Sequence, residues 1–156
     1  QKKLNDETNG ANWELGFNKF DKEINWLRCI HMEVAELIDS TPWKHWKNIG
    51  SSCDVTNIKV ELVDIWHFVM SFLLQEKNIP KCVALVGGSL NYQECKDVDY
   101  KNIITESEKL SFQALSIQMS DDVTNKAMAT LVKQFFKCCE VSGLSSAWLS
   151  KLYIGK

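Results

Sequence analysis

The feature that most constrains this chain is a helical row with an acid in the middle of it. At the spacing of successive turns, residues 58–72 place Ile58, Glu61, Ile65, Phe68 and Phe72 in one row, while Val60, Leu62, Val63, Trp66 and Val69 fill most of the other sides. A helix that is apolar nearly all round belongs in the interior of a helical protein. The pattern occurs once before, where Trp26, Ile30, Glu33 and Leu37 form a row that Glu33 interrupts. Each acid has a second one three residues away, Glu36 beside Glu33 and Asp64 beside Glu61. Residues three apart are neighbours on one helix face, so four carboxylates lie on the buried-looking sides of two helices.

An ionised carboxylate in apolar surroundings is costly unless it is paired or bound to a metal ion. Arg28 and Lys59 are the nearest cationic side chains in the sequence. Four carboxylates drawn together repel one another and raise each other's pKa values, and a divalent cation relieves both difficulties. An all-oxygen ligand set of Glu33, Glu36, Glu61 and Asp64 suits Mg²⁺, with Mn²⁺ as a substitute. Mg²⁺ is commonly held by a few carboxylates together with substrate phosphates, so the pattern points to phosphate chemistry. Two other readings compete. A lone ExxE is ordinarily a solvated helix face. Asp64 and His67 also form a DxxH, but di-iron bundles carry a Glu-x-x-His on each of two helices. No histidine follows Glu33 or Glu36 at that spacing, so His67 reads as a packed residue or a support for a ligand.

Periodicity is helical along most of the chain, and only two prolines and seven glycines interrupt it. The spacing predicts a first helix stopped near Asn9-Gly10, a second capped by Asp21 and running to about Ser40, and a short one started by Thr41-Pro42. A long helix follows from about Thr56 to Lys77, ended by Asn78 and Pro80. The stretch VGGSLNYQECKDVDY reads as a loop or mobile connection, and residues 80–120 as a mobile or inserted helical subregion. Further helices are expected over about Tyr100–Gln118, from Ser120-Asp121-Asp122 to Val141 with a stop at Gly143, and over Ser145–Tyr153. The expectation is one all-α domain over residues 1–156.

A formal net charge of −2 gives no general attraction to nucleic acid or anionic membranes. No apolar run reaches the roughly 20 residues of a membrane span. Six cysteines without CxxC or zinc-ligand spacing read as reduced thiols of a cytoplasmic protein.

The longer stretches around the acids are more specific. LNDETNGANW, MEVAELIDSTPWKHWKN, VELVDIWHF and the terminal YIGK occur in that order, and together they resemble the dimeric dUTPases of bacteria, phages and protozoa. Those enzymes fall within the all-α nucleoside triphosphate pyrophosphohydrolases, which include MazG-like proteins. The resemblance is strong over about residues 1–75 and near the end, and weak through 80–120. It implies an all-α helical bundle with ExxE and ExxD on core helices, a homodimer, and Mg²⁺-dependent hydrolysis of dUTP, and of dUDP, to dUMP. Glu33, Glu36, Glu61 and Asp64 match the metal-binding acids of the family, with Glu36 the candidate to take the proton of the attacking water. By the same resemblance Gln1 and Asn5 face the uracil edge, Phe68 stacks on the base, and Lys156 contacts phosphate. His45 stands where the protozoan pattern has Trp, so a further uracil contact falls to His45 or to its neighbour Trp46. The competing functions are a dCTP-directed or broad-specificity pyrophosphatase of the same superfamily, and a non-catalytic helical module using Trp13, Trp43 and Trp148 as anchors.

Overall fold

The computed structural model describes residues 1–47, 50–77, 79–87, 92, 96–120 and 123–155. Among these lie seven α-helices and no strand. They are α1 (Lys2–Asn9), α2 (Trp26–Asp39), α3 (Val55–Gln75), α4 (Ile79–Val86), α5 (Tyr100–Ser120), α6 (Asn125–Val141) and α7 (Ser146–Gly155), with one 3₁₀ turn at Trp13–Leu15. The expected all-α class is what the chain adopts.

Local chemistry sets most of the helix ends. Gly10 closes α1 at φ 86°, and a Cβ there would sit 2.9 Å from the Cβ of Lys19. Only glycine meets both demands. The start of α2 corrects the expectation: Asn25, not Asp21, caps it by accepting from the backbone N–H of Arg28 at 2.8 Å. Asp21 instead occupies the left-handed region at φ 56°, in a turn before Phe17 and Glu23 form an isolated bridge. Asp54 caps α3 by accepting from Asn57 N–H at 3.0 Å, and Thr124 caps α6. Asp121 and Asp122, expected at that start, lie outside the described residues, and Ser120 ends α5.

A further expectation fails. Thr41-Pro42 opens no helix: the buried Thr41 hydroxyl donates to the Ile38 carbonyl at 2.7 Å, and the chain continues as turns. α3 ends at Gln75, close to the expected Lys77, and Pro80 stands in the first turn of α4, where its missing N–H leaves no bond unmade.

In the packing, α2 lies along α3 and α5, and α6 lies along α5 and α4. The core runs from Ile30, Val34 and Leu37 of α2 through Leu62, Ile65 and Val69 of α3 to Leu110 of α5 and Leu131 and Phe135 of α6. Trp66 stacks on Phe135 with centroids 5.0 Å apart. The burial of α3 is less complete than its composition suggests, because Val55 and Val60 are exposed beside Leu152 of α7. Trp13, read from sequence as a surface anchor, is fully buried, with its indole N–H donating to Asp6 at 2.7 Å. No helix among the described residues is long and apolar enough to cross a membrane.

Candidate active site between two clefts

Because α2 and α3 pack along each other, their interrupted rows meet. Glu33, Glu61 and Asp64 each bring a carboxylate oxygen into a group whose members lie within 4.8 Å of one another. Glu61 is buried, Glu33 and Asp64 half-buried. Glu36 does not join this close group. It is exposed, yet its charge is near enough to act on both Glu33 and Glu61.

The electrostatics follow from that crowding. Burial, then the charges of Glu36, Asp64 and Glu61, push the Glu33 carboxyl up from 4.5 to about 7. Glu33 also shares a side-chain hydrogen bond with Glu61. Burial raises Glu61 as well, opposed by its hydrogen bonds to Glu33 and Asn57. Asn57 holds Glu61 in place, donating to its Oε1 at 2.9 Å and to Ser40 Oγ at 2.8 Å. The causes of both shifts are burial, neighbouring acids and hydrogen bonds to Glu33, Glu61 and Asn57.

The triad lies between two clefts. The first, about 580 Å³, shares Asp64 with it and is lined by Gln1, Asn5, Trp26, His67, Phe68 and Tyr153 among others. Phe68 lies one turn beyond Asp64 and stacks on Trp26, centroids 6.0 Å apart and planes 28° from parallel. The amide groups are tightly held. Gln1 Nε2 donates to Asn5 Oδ1 and to Ser71 Oγ, both at 2.9 Å. Asn5 Nδ2 donates to Ser71 Oγ at 3.0 Å. Tyr153 donates to Gln1 Oε1 at 3.1 Å, and His67 Nδ1 lies 2.8 Å from that oxygen. His67 therefore serves the amide network and stands outside the acidic group.

The second cleft, about 500 Å³, shares Glu61 with the triad. Glu36, Asp39, Lys44, Lys47, Ser51 and Asn57 are among its walls. Both clefts are concave, as small-molecule sites are; the second is walled almost entirely by polar and charged side chains, the first by aromatic rings and amides.

The sequence-derived site is thus brought together in part. Gln1, Asn5 and Phe68 share the first cleft, and the acids meet beside it. His45 and Trp46 stand apart from it: His45 is exposed, Trp46 is 59 % exposed, and the two rings contact each other edge to face at 4.9 Å. Lys156 lies outside the described residues. Sequence reasoning missed Ser71, His67 and Tyr153 as members of the amide network. The one available signal was helical spacing, which puts His67 and Ser71 one turn apart on the face that also carries Asp64.

Compared with known proteins, the whole chain, residues 1–156, matches the family model described as dUTPase. No curated protein matches it.

Proposed function

This chain belongs to the dUTPase family, and from that premise we propose how its residues hydrolyse dUTP. The activity is that of a dUTP diphosphatase, which converts dUTP and water to dUMP and pyrophosphate. The reading as a non-catalytic module falls with the family assignment. Specificity for dUTP over dCTP and dTTP, and acceptance of dUDP, are our further proposals.

The observation that carries the mechanism is the convergence of Glu33, Glu61 and Asp64 between the two clefts. The donor set fits a hard divalent cation. It is all oxygen, and without a counter-charge Glu33 holds its proton up to about pH 7. We assign Mg²⁺, with Mn²⁺ able to replace it, to Glu33, Glu61 and Asp64, with Glu36 beside them. Such an ion, when bound, neutralises phosphate charge and makes water more acidic.

The residues of this chain do the rest. The base enters the cleft that contains Phe68, whose face supplies stacking. Gln1 and Asn5 meet the uracil edge, since amides both donate and accept as that edge requires. Both Gln1 amide hydrogens are committed to Asn5 and Ser71 without substrate, so Gln1 gives up one of these bonds when the base enters, and the Ser71 hydroxyl and Tyr153 hold the amides in place until then. The phosphates then cross the acidic group into the second cleft. Glu36, at the exposed side of the group, takes a proton from the water that attacks phosphorus, and the bond to the pyrophosphate oxygen breaks. His45 or Trp46 would contact uracil only after the α2–α3 connection moves toward the first cleft. We further propose a single catalytic domain in a cytoplasmic homodimer. Phe112 and Met119, exposed along α5, are apolar side chains that a partner subunit would cover.

Asp64→Ala and Glu36→Ala test the mechanism. Each is expected to lower kcat/KM for dUTP by at least about 10³-fold with an unchanged circular dichroism spectrum. Substantial remaining turnover would sink the roles given to these acids. Comparison of kcat/KM for dUTP, dCTP and dTTP separates a dUTP enzyme from a broad pyrophosphatase.

A further inference from the structure

A triphosphate brings about four negative charges to a cleft already walled by acids. Among the described residues lining the two clefts, Lys44 and Lys47 are the only lysine or arginine side chains, and both belong to the second cleft. Lys44 is less than one-third exposed and is not idle: its ammonium pairs with Asp39 and lies 5.5 Å from the centre of the Trp43 ring. Trp43 in turn donates its indole N–H to Asp39 at 3.2 Å. Asp39 is held below the usual carboxylate range, chiefly by its hydrogen bond to Lys44. A partly exposed pair of this kind contributes little to stability. A phosphate offers the same ammonium more negative charge and more acceptor oxygens.

We propose that Lys44 is a phosphate-binding residue of this enzyme, which leaves Asp39 for the phosphates furthest from the sugar when the nucleotide binds. Asp39 and Trp43 park the ammonium on the wall of the cleft, pre-positioned beside Glu36 and Glu61. The exchange couples the α2–α3 connection, which carries Lys44, to the presence of the pyrophosphate portion of the substrate. The inference rests on the nucleotide reading above and is independent of Lys156.

Calorimetric titration of the full chain in Mg²⁺, with α,β-imido-dUTP and with dUMP as probes, tests it. Lys44→Met is expected to weaken imido-dUTP binding about 10- to 100-fold, the loss typical of one charge-assisted hydrogen bond. Binding of dUMP should stay within about twofold, and Lys101→Met on the exposed start of α5 should change neither. Asp39→Asn, which removes the competitor, should tighten imido-dUTP binding or leave it unchanged. An unaltered imido-dUTP affinity in Lys44→Met, equal weakening of both nucleotides, or weaker imido-dUTP binding in Asp39→Asn would each overturn the exchange. If the unaltered protein bound neither nucleotide, the assignment of the clefts would fail, and the Lys44 role with it.

Discussion

Glu33→Gln isolates the central physical claim, that the acidic group is unfavourable by itself and is made tolerable by a cation. In the folded chain Glu33 titrates near 7 against 4.5 when unfolded. Below about pH 4.5 both states carry the proton and the site contributes no penalty. As pH rises through 4.5 toward 7, the unfolded chain releases its proton and the folded chain keeps it. The folded state then binds more protons than the unfolded one, so stability falls with rising pH and the loss is complete above about 7. The gap between 4.5 and about 7 corresponds to an upper bound of about 3 kcal/mol. Glu33 is only partly buried, and solvent screening reduces the expected effect to about 1 kcal/mol. For a chain of this length that is a shift of about 2–4 °C in Tm. Gln keeps the size and the hydrogen bond toward Glu61 but cannot ionise. In EDTA at pH 8, Glu33→Gln should therefore melt about 2–4 °C above the unaltered protein, with the difference vanishing near pH 4.5. Addition of Mg²⁺ should raise the Tm of the unaltered protein more than that of the variant. Differential scanning calorimetry over pH 4.5–8 reads both. A variant that melts lower in EDTA at pH 8, or a difference that does not depend on pH, would refute the reasoning.

Two other substitutions probe the first cleft. Phe68→Ala removes the stacking face and its contact with Trp26, so KM for dUTP should rise about tenfold while kcat changes less; steady-state kinetics decide, and an unchanged KM would show that the base lies elsewhere. Ser71→Ala removes the buried hydroxyl that accepts from Gln1 and Asn5, leaving two amide donors unmatched. A loss of about 1–3 kcal/mol in urea unfolding is expected, together with weaker discrimination of dUTP from dCTP. A stability loss with discrimination intact would make the network merely structural.

The helix ends show what could be read from the chain and what could not. Gly10 and Gly143 stop their helices where expected, at φ 86° and 67°, because a positive φ is a local demand that glycine answers locally. The caps were less legible. Asp21 and Asn25 both suit a helix start, and the turn that puts Asp21 at positive φ selects Asn25. Thr41-Pro42 carried the signal of a helix, but the Thr41 hydroxyl is drawn back to the end of α2.

What the sequence by itself determined is the class of fold and which acids interrupt its apolar rows, since helical period and an acid set in an apolar row are properties of one segment at a time. Only the tertiary structure decided that Glu33, Glu61 and Asp64 form the close group while Glu36 stands at its exposed side. That depends on how far α2 is rotated against α3, and spacing along either helix does not contain it. The amide network is the clearest case. Gln1, Ser71 and Tyr153 come from the start, middle and end of the chain, and the bonds joining them exist only once α1, α3 and α7 are packed together.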